Sequence, residues 1–564
     1  MRNIQLAILA IVLATITTSC ENSFGNFLDK APGVDVTEDT IFTSKAQVET
    51  FVASAYYWGM HTDLALIDER DGSDGSISAA CEEAEDACPW HWVHSKWNNG
   101  GMSSSVQADW RWNSRWRAIR IVNILIERIY NVPTDAAYRS QVEGEAKFIR
   151  ALNYFEMFKH YGGVSIIDHR FQLGENLLVQ RSTLQQTLDF ILKDCDDAIK
   201  FLPATYEPLY RGRATKLAAL ALKSKALLFA ASPQFNTDKP VLELPGHNDL
   251  ICFGSYDANR WQLAADAAKA AIEAVPSSGF HLITDQGIDK NYKYVWEHFD
   301  NAEIILADKK ARTMRFNLFL PPSMLGEMGN TLTLNFQKYY EKKDGTPQTW
   351  DMNGGNDLNK KYDELDPRFK QSIAYNGSYW SPKYPLVVTT TEPVGRDLTN
   401  CFGGAWIHKP APDAYEVYSI PGNWAIFKVN ELYLNYAEAL NEAQGPVKEA
   451  YDAVQIIRAR SGMPPFADGL SKEQFRTKLR NERAIELFFD GHRIFDERRW
   501  LISDTEGLMK GNMWGIKIYA ITGSSEFRYK PYVFSVRTFY PRMYLHPFMQ
   551  NEVDKGYLIQ NPGY

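Results

Sequence analysis

The chain has 564 residues, 45% hydrophobic and 23% charged, an ordinary globular composition long enough for several domains or one large helical assembly. A formal net charge of -8 offers nothing to a phosphate backbone and excludes nucleic acid as a partner. Aromatic residues reach 13%, and many of the 15 Trp and 29 Tyr fall in Gly/Asn/Ser-rich stretches, where rings serve contact surfaces as well as core.

Arg2 precedes an apolar run from Ile4 to Ile16, followed by TTSC ending at Cys20. The run is too short for a permanent span and has the form of a secretory h-region. A cysteine behind it, preceded by Ser19, marks a lipoprotein cleavage site. Residues 1–19 are therefore read as a signal peptide and Cys20 as the lipidated start of the mature chain. Thr17 stands where such sites favour Leu, and ordinary signal cleavage with Cys20 as a bystander is the alternative. Acyl chains would anchor the protein to a membrane without a spanning helix. No later segment reaches the roughly 18 consecutive apolar residues of a span.

DERDGSDGS (Asp68–Ser76) has acidic spacing like that of a calcium loop but lacks the terminal bidentate Glu, which argues against an EF-hand. No cofactor is expected, with a structural calcium left open. As a loop of carboxylates it suits sugar hydroxyls, and Asp71 is the chosen contact. The next stretch, CEEAEDACPWHWVHSKWNNGG (Cys81–Gly101), reads C-x6-C-x2-H-x2-H as a metal site. Structural zinc favours closer cysteines and wider histidines, and export favours oxidised thiols. A Cys81–Cys88 disulfide closing the loop is the expectation. Cys195 reads as a buried thiol, while Cys252 and Cys401 pair or stay free. Trp90, Trp92 and Trp97, with His91, Asn98 and Asn99, supply ring planes for sugar C–H faces and polar groups for hydroxyls. In an extended segment Trp90 and Trp92 point to one side and would form a platform. The alternative is that some of these rings plug the loop onto a scaffold.

Helical periodicity follows. Trp110, Trp112 and Trp116 in DWRWNSRWRAIRIVNILI read as helix-packing residues. Further helices are predicted over Gln141–Gly162, Thr183–Pro203, Thr215–Pro233, Trp261–Pro276, Asn430–Gly445 and Val447–Pro464, the second and third with Thr starts and all with Gly or Pro stops. Three of them end in Ala-x4-Pro: Ala198 to Pro203, Ala271 to Pro276 and Ala459 to Pro464. That offset matches the end of a tetratricopeptide unit, where a small Ala lets a paired helix approach. Chance helix ends are the alternative.

Tyr56–Gly101 and Ser277–Asn423 lack sustained helical periodicity and read as short strands and loops on the helical base. In the central insertion, Lys310 and Arg312 of ILADKKARTMRF either face a ligand or form a solvated basic run; Tyr339 and Trp350 are weaker candidates. RNERAIELFFDGHRIFDERRW (Arg480–Trp500) looks catalytic, with Glu482, Glu486, Asp490, His492 and Asp496. Helical spacing makes a charged network the simpler account. Abundant Arg would keep paired carboxylates ionised, without the proton-bearing acid that glycoside hydrolysis needs.

Nearly the whole mature chain resembles the SusD/RagB family of Bacteroidetes surface lipoproteins. The carrying residues are FLDKAPGVDVTEDTIF (Phe27–Phe42), EAKFIRALNYFEMFKHYGGV (Glu145–Val164), RATKLAALALKSKALLFAASP (Arg213–Pro233), NAEIIL (Asn301–Leu306), YDELDPRF (Tyr362–Phe369), LRNERAIELFFDGHRIFDERRW (Leu479–Trp500) and a terminal NPGY. The resemblance implies a mostly α fold: a tetratricopeptide-like helical scaffold with a loop-rich, aromatic-rich ligand-binding face and a few short strands. It implies one domain over residues 20–564, with an N-terminal part to about residue 235 and a C-terminal part from about 236. It also implies a non-enzymatic role, binding oligosaccharide at the outer membrane with a SusC-like TonB-dependent transporter as partner. Some relatives handle peptides, so a peptide ligand is the first alternative and a surface glycoside hydrolase the second. Family glycan contacts come from loops before the tryptophan-rich helix and from the central insertion. The expected carbohydrate contacts are thus Asp71, Trp90, His91, Trp92, Trp97, Asn98, Lys310 and Arg312.

Overall fold

The computed structural model describes residues 41–60, 75–106, 109–298, 300–308, 320–324, 326, 329–409, 411, 413 and 424–564. Cys20, Asp71, Lys310 and Arg312 lie outside the described residues. Helices dominate: α1 (Lys45–Gly59), α2 (Trp112–Arg128), α3 (Ala136–Tyr161), α4 (Leu184–Phe201), α5 (Lys216–Ala231) and α6 (Asn259–Ala274) come before the central insertion. Their starts are chemically marked. Asp135, Thr183 and Thr215 each accept from an orphan N–H of the first turn, and Thr183 forms a capping box with Gln186. Gly162 ends α3 at φ 82°, a conformation that costs glycine little.

Each helix packs on its successor from α1 to α6. After the insertion the chain returns as α7 (Val429–Gln444), which packs on α6, and α8 (Lys448–Arg460) and α9 (Lys472–Glu486) pack on α7. The short α10 (Arg493–Arg499) follows. Ala198 and Ala271 are fully buried, in keeping with their close-approach role. Ala459 is exposed. The buried alanines of α8 are Ala450 and Ala453, one apolar cluster with Leu434 and Ala437 of α7, so the third Ala-x4-Pro match marks a helix end and not a contact.

The strands are few and mostly short: β1 (Ala84–Asp86), β2 (Ile304–Asp308), β3 (Asn330–Leu332), β4 (Ile373–Ala374), β5 (Trp406–Ile407), β6 (Trp424–Lys428), β7 (Gly511–Ala520) and β8 (Phe527–Arg537). One sheet has the order β1-β3-β5-β4, which ties the loop after residue 75 to the central insertion; β2 pairs with β6 and β7 with β8. The fold class expected from the sequence is the one observed.

The Arg480–Trp500 segment builds the polar centre of the scaffold. Arg368 donates to Asp366 at 2.7 Å, Glu482 at 2.6 Å and Glu486 at 2.8 Å, all buried. Arg458 reaches Glu482 at 2.7 Å, and Arg460 reaches Glu303 at 2.6 Å and also Glu486. Arg499 grips Glu438 at 2.5 and 2.7 Å. Burial pushes the Glu482 carboxyl up, but Arg368 and Arg458 outweigh it and hold the group below the ordinary range. Asp496 is held low in the same way by Arg483 and Arg499 against burial.

Removing one member of such a buried set leaves its partners charged and under-compensated. Arg368→Met, which strands Asp366 and takes one of two arginine partners from Glu482 and from Glu486, is expected to destabilise the protein by about 3–5 kcal/mol. Urea unfolding would measure it, and a loss under about 1 kcal/mol would contradict this account of the network.

Candidate functional site

The stretch from Cys81 to Gly101 is held from beneath by its own acids. Glu82, Glu83, Glu85 and Asp86 are all buried. Glu82 Oε1 accepts from Arg493 Nη2 at 2.7 Å and Nε at 2.9 Å. Glu83 accepts the Phe489 N–H at 3.1 Å. Glu85 accepts from Arg537 at 2.6 Å, and the same guanidinium donates to the carbonyls of Cys81 and Ala84. Asp86 takes the Cys88 N–H at 2.8 Å and bonds the His91 ring at 2.9 Å.

The structure does not join Cys81 to Cys88. Strand β1 lies between them, paired with β3. The Cys81 thiol instead faces the Ser78 carbonyl at 3.4 Å, and burial pushes its pKa up. Carboxylates clamp the loop where a disulfide was expected. Cys252 and Cys401 are likewise thiols.

Beyond β1 the chain turns, with the His91 N–H on the Cys88 carbonyl, and then makes one π-helical turn over Val93–Asn98. The backbone is not extended, yet the side chains alternate: Trp90 is 70% exposed, His91 is buried and Trp92 is 38% exposed. Trp97 and Asn98 face inward. Trp97 packs edge-on to His546 at 5.3 Å with Arg498 nearby, and the Asn98 carbonyl receives the Thr538 N–H at 2.8 Å. His91, Trp97 and Asn98 therefore cannot lie against a ligand without unpacking, which corrects the expectation for these three. Trp97 and Asn98 lie at the end of the π-turn, where they pack on the scaffold, and His91 precedes it and is held by Asp86.

A residue assigned to helix packing joins the exposed set. Trp110 precedes α2 and is 38% exposed. Asp109 accepts the Arg111 N–H and pairs with buried Arg115, fixing the turn that throws Trp110 outward. The Trp92 and Trp110 rings meet edge to face at 5.9 Å, and Lys96 Nζ lies 4.4 Å from the first ring and 3.6 Å from the second. This cation–π clamp fixes both planes. Tyr540 flanks the other end of the loop, where Gly100 sits at φ 68° and a Cβ would strike the Tyr540 ring at 2.6 Å. Sequence reasoning missed Lys96 and Trp110; the signal for Trp110 was its place outside the helical register, behind a capping-type Asp. Trp112 and Trp116 do pack, against each other and against Tyr161 and Tyr154.

A cleft of about 310 Å³ lies elsewhere, lined by Tyr206, Arg213, Phe280, Asn301 and the edge of β2. Among the described residues, none of the expected carbohydrate contacts lines it. The once catalytic-looking Glu482 and Glu486 are sealed in the scaffold.

Residues 284–564 match the model of the SusD family, and residues 26–228 match one described as starch-binding, associating with outer membrane. The chain belongs to the SusD family. It is 21% identical over 540 residues to the SusD-like protein P38 of Formosa agariphila, covering 88% of this chain and 91% of that protein. It shares its fold with a SusD-like protein from Bacteroides fragilis at TM-score 0.76 and 25% identity, covering 95% of this chain and 100% of that one. A laminarin-binding SusD-like protein matches at TM-score 0.58 and 17% identity, over 93% of this chain and 100% of the other. In this SusD-family chain, no helix among the described residues is long and apolar enough to cross a membrane.

Glu83 gives the loop a pH dependence. Burial pushes its carboxyl up to about 8, against the opposing bonds from Ser78 and Phe489. A carboxyl raised on folding contributes stability that is full below its unfolded value and lost as pH rises through the folded one. Wild type is therefore expected to lose thermal stability relative to Glu83→Gln between about pH 5 and pH 8. Parallel melting curves across that range for the two proteins would remove Glu83 as the cause.

Proposed function

We propose that this SusD-family protein captures glycan on the exposed tryptophans of the 81–101 loop and passes it to a SusC-like TonB-dependent transporter in the outer membrane. The observation that carries the reading is the solvent-exposed set of Trp90, Trp92 and Trp110, two of whose rings are fixed by Lys96. Ring faces held in place on an open surface suit the apolar C–H faces of a long sugar chain. The cleft beside β2, at about 310 Å³, suits a small ligand better than a polymer. Family membership and the laminarin-binding relative support the ligand class. The same reading keeps Asp71, Lys310 and Arg312 as polar contacts, residues 1–19 as a signal peptide, and lipidated Cys20 as the surface anchor. It makes the protein a binder and not a hydrolase, since Glu482 and Glu486 are buried with arginines on both.

Burying about 60 Å² of apolar ring and sugar face at ~25 cal/mol per Å² is worth about 1.5 kcal/mol, roughly tenfold in affinity. Trp90→Ala and Trp92→Ala are each expected to weaken binding of the recognised glycan about tenfold by titration calorimetry, with melting temperature unchanged. Trp97→Ala is expected to lower the melting temperature instead, because it empties a buried site. Unchanged affinity in both Trp90 and Trp92 variants would remove the platform from the site.

For the anchor, Cys20→Ser is expected to move the protein from the membrane fraction to the soluble fraction of its host. A variant that stays with the membrane would rule out lipidation at Cys20 as the tether.

A further inference from the structure

The β7–β8 hairpin carries a second surface. Its inner face is buried through Ile516, Ile518 and Tyr529. On its outer face Gly515 lies opposite Tyr532, Lys517 opposite Lys530, and Tyr519 opposite Arg528. Directly opposed residues, and alternate residues along each strand, share a face. Three exposed cations and two half-buried phenol rings thus form one outward ribbon. Arg528 stacks on Tyr519 at 4.5 Å, and Lys517 Nζ lies 5.1 Å from the Tyr532 ring centre.

Like charges directly opposite in a ladder are destabilising. Lys517 and Lys530 nevertheless face each other, and among the described residues neither they nor Arg528 forms an ion pair. Glu392, bridged to Tyr519 on the adjoining segment, is exposed and unpaired with them. Exposed lysines often serve to block a sheet edge, but these edges are already covered. Thr391 N–H donates to the Ile518 carbonyl at 2.6 Å and Ala520 N–H to Glu392 at 2.9 Å, while Gly355 and Tyr529 exchange bonds at 3.1 and 2.8 Å on the far side. Edge protection leaves the cations unexplained.

We propose that this ribbon binds an anionic polysaccharide, with carboxylate or sulfate groups on Lys517, Lys530 and Arg528 and sugar rings against Tyr519 and Tyr532. The rings hold two of the cations in place, which lowers the cost of ordering long side chains on an anion. Same-face positions repeat every ~7 Å along the strand, a linear array for an extended chain. The interleaved phenols favour a sugar polymer over a lipid headgroup or an acidic peptide. Beyond the far end of β8, Thr538 bonds Asn98 and Tyr540 lies on Gly100, so this strand links the ribbon to the tryptophan loop. The proposal shares the glycan-capture reading but not its residues.

Affinity electrophoresis of the mature chain in gels of dextran, dextran sulfate and polygalacturonate tests it. One acidic gel is expected to retard the protein, in a salt-dependent way, where dextran does not. Lys517→Ser/Arg528→Ser/Lys530→Ser is expected to weaken that affinity at least tenfold without lowering the melting temperature, and Lys517→Arg/Lys530→Arg to retain it. Trp90→Ala/Trp92→Ala separates the sites: loss there alone, with the triple variant bound like wild type, leaves the platform standing and overturns the ribbon. No retardation in either acidic gel overturns it as well. So does triple-variant-sensitive binding to phosphatidylglycerol vesicles without binding to either acidic polymer, which would make the ribbon a membrane contact.

Discussion

The buried carboxylates beneath residues 81–101 are the constraint on which the exposed face depends. A charge taken out of water costs several kcal/mol unless it is paired and its remaining valences are met. Arg493 and Arg537 meet that condition for Glu82 and Glu85, and Arg537 also satisfies two loop carbonyls. Those partners lie 411 and 452 residues along the chain. The loop therefore takes its shape only once the C-terminal helices and hairpin are in place. Two adjacent acids settle the charge between them: burial and Glu82 push the Glu497 carboxyl well up, while Arg493 overcomes burial and holds Glu82 low. One ionised carboxylate and one proton then share a guanidinium, a lower cost than two buried anions.

With its underside fixed, the loop can hold large rings in water. Exposed apolar area is unfavourable and on monomers is concentrated at interaction sites. Trp92 and Trp110 are not loose: Lys96 spans both, and the Asp109–Arg115 pair sets the turn between loop and helix. Rigid rings lose little freedom when a ligand covers them. The arrangement separates duties along one short stretch, since Trp97 and Asn98 fasten the loop while Trp90 and Trp92 remain available.

Much of this was legible in the sequence where the cause is local. Caps at Thr183 and Thr215, the stop at Gly162 and the apolar faces of the helices follow from neighbours a few residues apart, whereas the Asp135 cap lies before the predicted start at Gln141 and was missed. The outward alternation of Trp90 and Trp92 was also readable, although a turn and not a strand produces it. What escaped depends on distant partners. Two cysteines seven positions apart invited a disulfide, but whether they meet depends on β1, which exists because β3 pairs with it. The acids of CEEAEDAC look solvated by composition and are buried only because arginines from α10 and β8 reach them. Ala459 satisfied a spacing rule whose physical content, a neighbouring helix at van der Waals distance, belongs to Ala450 and Ala453 instead.

Open aromatic surfaces set a limit on affinity. A stacking ring worth about 1.5 kcal/mol, repeated over two or three positions and reduced by the cost of ordering a flexible sugar chain, leaves millimolar rather than nanomolar binding at a single patch. In the proposed role of handing cargo onward that weakness is a gain, because a ligand held in a sealed pocket would leave slowly. Retention of a polymer can then come from several weak contacts along one chain, where each new contact is intramolecular once the first is made. If the tryptophan platform and the charged, ring-bearing hairpin both hold glycan as proposed, strand β8 links two such weak sites, and release can proceed one contact at a time.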